Sequence, residues 1–160
     1  MKIASEGAKE FILRNKLKKL VGYDFVIIDC PPTFGTLVTN VFLYADEIIL
    51  PIELSFFSSD GAYNFSDAVQ VVNDKIGSVV DHSIQVTGVL ITFFETRTKI
   101  SKQVFAGIIS VFQDKIYEAK IPQNVKIKES QAMGKAIFDY DPECSGSKAY
   151  MKLAQEVLER

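Results

Sequence analysis

Tyr23-Asp24-Phe25-Val26-Ile27-Ile28-Asp29-Cys30-Pro31-Pro32 is the stretch of sequence that decides the fold. Its central residues are apolar and partly β-branched, the run ends in an acid, and two prolines follow. This pattern predicts a buried parallel strand over 24–29 with one carboxylate at its carboxyl end. The prolines are expected to end the strand at once.

The acid at the end of this strand has two interpretations. In nucleotide-binding α/β proteins it is the Walker B position, where a carboxylate holds Mg²⁺ or its bound water. Strands that end in Asp are also common without any such role, and the Asp-Cys-Pro-Pro continuation favours the first interpretation. A P-loop, G-x-x-x-x-G-K-[ST], is absent from the printed sequence. Its Gly134-Lys135 pair is followed by Ala136, and Glu129 stands where the first glycine is needed.

Composition indicates one globular domain over residues 1–160, with 48% hydrophobic and 24% charged residues. No apolar run approaches the roughly 20 residues that a membrane-spanning helix needs. Cys30 and Cys144 fit no metal or disulfide pattern, so a reduced cytoplasm is the simplest setting.

Charge is segregated along the chain. Residues 1–23 hold six Lys/Arg and two Glu, residues 24–81 hold nine acids and only Lys75, and residues 95–135 hold eight bases and four acids. Such segregation can mark one face of the protein for binding a polyanion. The alternative is that the basic residues only solvate helix surfaces, and charge alone does not decide between these two explanations.

Strand and helix patterns alternate after the first helix. Helices are predicted over 5–21, 36–44, 61–76, 100–113 and 147–159, with a helical turn near 127–132. Strands are predicted over 24–29, 48–52, 84–93 and 115–121. The expected fold class is α/β, a doubly wound and mainly parallel sheet with helices on both faces. Ligands of such sheets bind at the carboxyl ends of the strands, here Asp29, Pro51, Thr92 and Pro122.

Four segments together carry a family resemblance. They are residues 23–32; Ala45 to Pro51; Gly88 to Phe94 with Arg97-Thr98; and Ile121-Pro122-Gln123-Asn124-Val125. With these at their present separation, the chain resembles the C-terminal two-thirds of ParA/Soj-type partition ATPases, in the MinD-like group of P-loop ATPases. The resemblance implies a P-loop NTPase-like fold that lacks the P-loop strand. It also implies incompleteness at the N-terminus, where the family carries its Walker A lysines.

The resemblance assigns roles to individual residues. Asp29 would be the Walker B acid, holding Mg²⁺ through water and so polarising the phosphates of ATP. Pro31, Pro32 and Gly35 would form the switch II turn, although a strand-ending turn explains them equally. Pro122 and Asn124 would face the adenine with Thr92 beside them, whereas the simpler alternative for Asn124 is a turn residue.

The resemblance also implies partners. These are nonspecific DNA, a ParB-like partner protein and a second copy in a nucleotide-dependent homodimer. The candidate phosphate contacts are Arg97, Lys99, Lys102, Lys126 and Lys128. Gln123 stands where the family usually has Arg, so weaker DNA binding is expected. The helix that ends at Arg160 carries no basic amphipathic tail, so no membrane partner is expected, and the predicted location is cytoplasmic and nucleoid-associated.

The implied function is that of a ParA-like ATPase in plasmid or chromosome partitioning. Without Walker A, this chain is not expected to hydrolyse ATP alone. Two alternatives stay open: a truncated, noncatalytic binding or dimerisation module, and another MinD-like ATPase of cell division or polysaccharide export.

A missing central strand is the last expectation. In this division of P-loop proteins the P-loop strand lies between the Walker B strand and the next one, here 24–29 and 47–52. With that strand absent, we expect the two to pair directly or the chain to self-associate. Two other outcomes are open. Another chain can fill the gap, or the chain can fold poorly and aggregate.

Overall fold

The computed structural model describes residues 9–54, 59–75, 77–95 and 99–160. The helices are α1 (Ile12–Leu17), α2 (Thr36–Phe42), α3 (Ser59–Lys75), α4 (Lys99–Phe112), α5 (Val125–Ala132), α6 (Ile137–Tyr140) and α7 (Ser145–Glu159). The strands are β1 (Glu47–Glu53), β2 (Gln85–Phe94) and β3 (Ile116–Pro122), and short 3₁₀ turns cover Gly77–Val79 and Gln113–Lys115.

The strands of the described residues form a three-stranded sheet in the order β1-β2-β3. It is a parallel sheet with helices around it, which confirms the predicted α/β fold class. Each of the three strands lies within two residues of its predicted position, because β1 and β2 are mostly apolar runs and β3 alternates buried apolar with more exposed residues up to Pro122.

The segment 24–29 corrects the sequence prediction. It forms no strand, and Phe25 and Ile27 are 61% and 94% exposed. The predicted direct pairing with residues 47–52 is therefore wrong. A strand forms only where a neighbour takes up its backbone N–H and C=O groups, and the described sheet offers none to this segment. No strand forms within residues 9–20 either, and residues 1–8 lie outside the described part.

The chain divides into two compact units. The first comprises residues 1–48 and 65–85 and the second residues 49–64 and 86–160. The single-domain prediction stays untested by this division.

In the first unit, two polar side chains hold the N-terminal segment. Asn40, buried on α2, accepts a hydrogen bond from the Leu13 N–H (3.0 Å) and donates to the Lys9 carbonyl (2.7 Å). The Arg14 guanidinium donates to the Leu43 carbonyl at the end of α2 (3.0 Å). The helix observed, α1, is shorter than the predicted 5–21, of which residues 5–8 lie outside the described part.

In the second unit, α7 packs on the sheet beside β3. Leu90, Tyr117 and Ile121 form a buried cluster that Leu153 and Val157 of α7 cover, together with Ile127, Ala149 and Tyr150. Gly88 permits this packing, because a Cβ there would lie 2.3 Å from the Tyr117 ring.

The pairing of β2 with β3 is parallel and irregular. Val89 pairs with Ile116 and Ile91 with Lys120, so β3 carries two more residues than β2 over this interval. The Glu156 carboxylate accepts hydrogen bonds from the N–H groups of Glu118 and Ala119, each at 2.7 Å. A side chain of α7 thus replaces the missing ladder partner at this bulge.

Candidate functional site

The first group of predicted site residues lies on the loop before α2. Asp29 is exposed, and within the described part of the chain its carboxylate has no hydrogen-bond or ion-pair partner. Pro31 and Pro32 follow it, also exposed. The carboxylate is therefore open to a ligand from solvent.

This loop is attached to the first unit by an aromatic cluster. The Phe34 ring lies 6.1 Å from the Phe42 ring and 5.6 Å from the Phe65 ring, centroid to centroid. Gly35 follows as the N-cap of α2, with φ −177° in the ordinary extended region, and its carbonyl accepts from the Thr39 N–H (3.0 Å). The structure therefore supplies an anchor, Phe34, that sequence reasoning missed.

The thiol beside Asp29 is perturbed. Partial burial raises the pKa of the Cys30 thiol, and the neighbouring Asp29 charge raises that pKa further. A raised pKa leaves less thiolate at neutral pH, so Cys30 is a poor nucleophile.

The second group lies at the carboxyl ends of β2 and β3 in the second unit. The Thr92 hydroxyl donates to the Ile52 carbonyl of β1 (3.2 Å), so it is occupied within the sheet. Next to it, Phe93 has φ +48°, an uncommon conformation for a bulky residue. From Ile91 to Phe94 strand β2 advances three residues against two of β3, so a bulge at this edge accounts for the turn of the backbone.

Asn124 serves the local structure directly. Its side-chain oxygen accepts from the Lys126 N–H (2.7 Å) and caps α5, and its amide nitrogen donates to the Ser145 hydroxyl (2.8 Å). Gly146 lies nearby, and a Cβ there would lie 2.8 Å from the Ile127 side chain, so a larger residue would require Ile127 to shift. One lone pair and one N–H of the Asn124 amide are still unused by these two bonds, so a contact with a base stays a prediction. Pro122 ends β3, half-buried.

The candidate DNA-binding lysines differ in whether their side chains already have a partner within the protein. Lys102 and Lys128 are exposed, with no partner among the described residues. Lys126 instead donates to Glu129 (2.9 Å) and lies 5.9 Å from the Tyr140 ring centre. Arg97 and the Lys99 side chain lie outside the described part.

The hydrogen bonds among Lys126, Glu129 and Tyr140 shift the pKa values of all three side chains. The hydrogen bond from Lys126 lowers the pKa of Glu129, and that from the Tyr140 hydroxyl (2.9 Å) lowers it further. The bonds to Glu129 in turn raise the pKa of Lys126 and the pKa of Tyr140. Lys126 therefore stays protonated, but the Glu129 carboxylate compensates its charge. This weakens the case for Lys126 as a phosphate contact.

The structure thus keeps the two groups in separate units, with Asp29, Pro31, Pro32 and Gly35 in one and Thr92, Pro122 and Asn124 in the other. Among the described residues no three His, Cys, Asp or Glu side chains lie together as a metal site. In the same part of the chain no helix is long and apolar enough to cross a membrane.

The parallel sheet with helices around it places the chain in a fold class, that of the P-loop NTPases. Comparison with known proteins gives the family. Residues 1–85 match the AAA domain family AAA_31. The chain belongs to the ParA/MinD-like ATPase family.

Named relatives agree with this assignment. The chain is 31% identical over 163 residues to the chromosome partitioning protein ParA of Caulobacter vibrioides, covering 100% of this chain and 60% of that protein. It is 33% identical over 135 residues to the sporulation initiation inhibitor protein Soj of Bacillus subtilis, covering 84% and 52%. The chain thus spans between half and two-thirds of the length of these relatives.

Solved structures share the fold. The septum site-determining protein MinD of Pyrococcus horikoshii, complexed with Mg-ADP, is 25% identical with a TM-score of 0.67, covering 92% of this chain and 56% of that one. The apo McdA structure from Cyanothece has 20% identity and a TM-score of 0.73, covering 98% and 62%.

Proposed function

We propose that this chain is part of a ParA-like ATPase that partitions a plasmid or a chromosome. The observation that carries the proposal is the Asp29 carboxylate, exposed and unpaired among the described residues, directly before the Cys30-Pro31-Pro32 turn. The family assignment and the match to ParA over the full chain support it.

A magnesium nucleotide fits Asp29 in one respect. Mg²⁺ keeps several waters and is usually bound by one or two carboxylates together with substrate phosphates, without an all-protein cage. One free carboxylate and no three-ligand cluster in the described residues suit that mode of binding. Asp29 would hold the ion through water, and the ion would supply charge stabilisation at the phosphates. Asn124, with its unused donor and acceptor, is the residue that would contact the base, and Thr92 and Pro122 would line its surroundings.

The turn Pro31–Gly35, which would lie near the phosphates, is held in place by residues of this chain. Phe34 fixes the Pro31–Gly35 turn on Phe42 and Phe65, so a displacement of the turn has to be transmitted to α2 and α3. The printed sequence carries no phosphate-binding G-x-x-x-x-G-K-[ST] loop, so hydrolysis by this 160-residue chain alone is not part of the proposal.

Nonspecific DNA, a ParB-like protein and a second copy are the proposed partners. Lys102 and Lys128 are the best-placed described phosphate contacts, because both are exposed and neither forms an ion pair or hydrogen bond with a described residue. Binding through a few such cations is independent of sequence and sensitive to salt. The proposed setting is cytoplasmic and nucleoid-associated.

The test is replicon or chromosome loss in cells that carry the native gene with Asp29→Ala. We expect the fraction of daughter cells without cargo to approach that of a gene deletion. Asp24→Ala is the matched control, since Asp24 is another exposed acid of the same segment, and it should leave segregation unchanged. Normal segregation with Asp29→Ala, at equal protein levels, would refute the role of Asp29.

A further inference from the structure

Glu129 is the one acidic residue in a basic stretch of the sequence. Residues 119–138 hold four lysines and no acid other than Glu129. One oxygen of its carboxylate accepts from the Lys126 ammonium (2.9 Å) and from the Tyr140 hydroxyl (2.9 Å). The acid of this stretch is therefore paired with one particular lysine, whereas the exposed Lys128 forms no ion pair or hydrogen bond with a described residue.

The surrounding structure holds Lys126 against Glu129. Lys126 lies in the first turn of α5, where the positive end of the helix dipole disfavours a cation. The Glu129 carboxylate lies about one turn further along and offsets this cost. Asn124 fixes the same turn by accepting from the Lys126 N–H (2.7 Å). The ring of Tyr140, half-buried in α6, lies 5.9 Å from the Lys126 ammonium and attracts it further.

The ion pair compensates the charge of Lys126 without burying it. The Lys126 and Glu129 side chains are 47% and 39% exposed, so a phosphate group from solvent can reach the ammonium. Because water and salt screen an exposed ion pair, its attraction is weak. The pair therefore competes with a phosphate contact and does not exclude it.

We propose that Glu129 is an autoinhibitory contact, which competes with DNA phosphate for Lys126 and so lowers the affinity of the chain for DNA. This role rests on the nonspecific DNA binding proposed above. When a phosphate takes Lys126, the DNA releases a cation, but the Glu129 carboxylate left behind attracts one in its place. Lys126 therefore adds little to the salt dependence of DNA binding as long as Glu129 is charged.

The salt dependence of DNA binding tests this role. Glu129→Gln removes the charge but keeps a carbonyl that can accept from Tyr140, so the circular dichroism spectrum should not change. In fluorescence anisotropy with a labelled duplex of random sequence, we expect Glu129→Gln to raise the affinity about two- to fivefold at low salt, the range of an exposed ion pair. The logarithmic salt slope should steepen by about 0.9, which corresponds to one additional phosphate contact.

Two controls separate this role from a general gain of positive charge. Glu143→Gln removes another exposed acid, which pairs with Lys148 at the same distance, 2.9 Å. Because Lys148 is not a candidate phosphate contact, this change should leave the salt slope unaltered. In a Lys126→Met background, Glu129→Gln should also leave the slope unaltered, since the lysine that it would release is absent.

The possible failures are distinguishable. If the unmodified chain binds DNA and Glu129→Gln leaves the slope unchanged, the autoinhibitory role is wrong and the proposed DNA binding stands. Equal steepening by Glu143→Gln, or by Glu129→Gln in the Lys126→Met background, would also overturn the role, because either result reflects net charge alone. Absence of DNA binding by both the unmodified chain and Glu129→Gln would refute the proposed DNA binding together with this role.

Discussion

Removing the Glu156 carboxylate should destabilise the second unit more than removing any surface charge. This side chain accepts from two backbone N–H groups of the β3 bulge, at 2.7 Å each. Ala119 is only 2% exposed, so after Glu156→Ala its N–H would be left without a partner, whereas the exposed Glu118 N–H can turn to water.

The magnitude follows from these two bonds. Hydrogen bonds to a charged group contribute about 1.5–3 kcal/mol, and an unsatisfied buried donor costs about 1–3 kcal/mol. With one of the two donors rehydrated, we expect Glu156→Ala to lower the free energy of unfolding by about 2–3 kcal/mol. For a chain of this length that corresponds to a fall in Tm of about 5–10 °C.

Urea denaturation followed by circular dichroism measures this difference. Glu156→Gln keeps one carbonyl acceptor and should lose about half as much. The control is Glu118→Gln, which removes an exposed ion pair with Lys152 (3.0 Å) and should change stability little, because solvent screens such a pair. If Glu156→Ala costs no more than this control, the carboxylate does not support the bulge.

Three further predictions concern the loop ends and the chemistry. Asn124→Ala should lower stability by about 1 kcal/mol because it removes the α5 cap, with Gln123→Ala, an exposed neighbour, as the silent control in the same denaturation assay. In a spectrophotometric titration Tyr140 should ionise above the range of an ordinary tyrosine, since its hydrogen bond to Glu129 raises its pKa, and Glu129→Gln should lower that midpoint; an unchanged midpoint would contradict the pairing. The purified chain should release no phosphate from ATP above background, because its sequence has no phosphate-binding loop; turnover abolished by Asp29→Ala would show that reasoning to be wrong.

The sequence predicts elements whose signals are local. Strands β1 and β2 are mostly apolar runs, β3 alternates buried and more exposed residues, and α3, α4 and α7 carry helical periodicity, so all six lie close to their predicted bounds. The parallel α/β class follows from their alternation.

Non-local requirements account for the differences. Residues 24–29 have the composition of a buried strand, but composition does not supply the neighbouring strands that such a segment pairs with. The contact of Glu156 with the Ala119 N–H is also non-local, because the two residues lie 37 positions apart in the sequence. No spacing pattern in the sequence predicts that contact.

The sequence predicts the local structure around the candidate site residues Asp29 and Asn124 with different success. The sequence places Asp29 at the carboxyl end of a buried strand, whereas in the structure Asp29 is exposed on a segment that forms no strand. Its role at a nucleotide stays a prediction. For Asn124 the sequence leaves two interpretations open, a base contact and a turn residue. The structure shows its side chain capping α5, a local function that leaves part of its amide for a ligand.

Salt-dependent binding to DNA of random sequence is the measurement that tests the ParA-like assignment most directly. Fluorescence anisotropy of a labelled duplex should show weak binding whose affinity falls with salt at a logarithmic slope no steeper than about −4.5, for five candidate cations. Lys102→Glu with Lys128→Glu should reduce the slope by about 2. Lys148→Glu, at a lysine paired with Glu143 (2.9 Å), should change it little. Binding that is independent of salt, that prefers one sequence strongly, or that survives the double substitution unchanged would contradict the account.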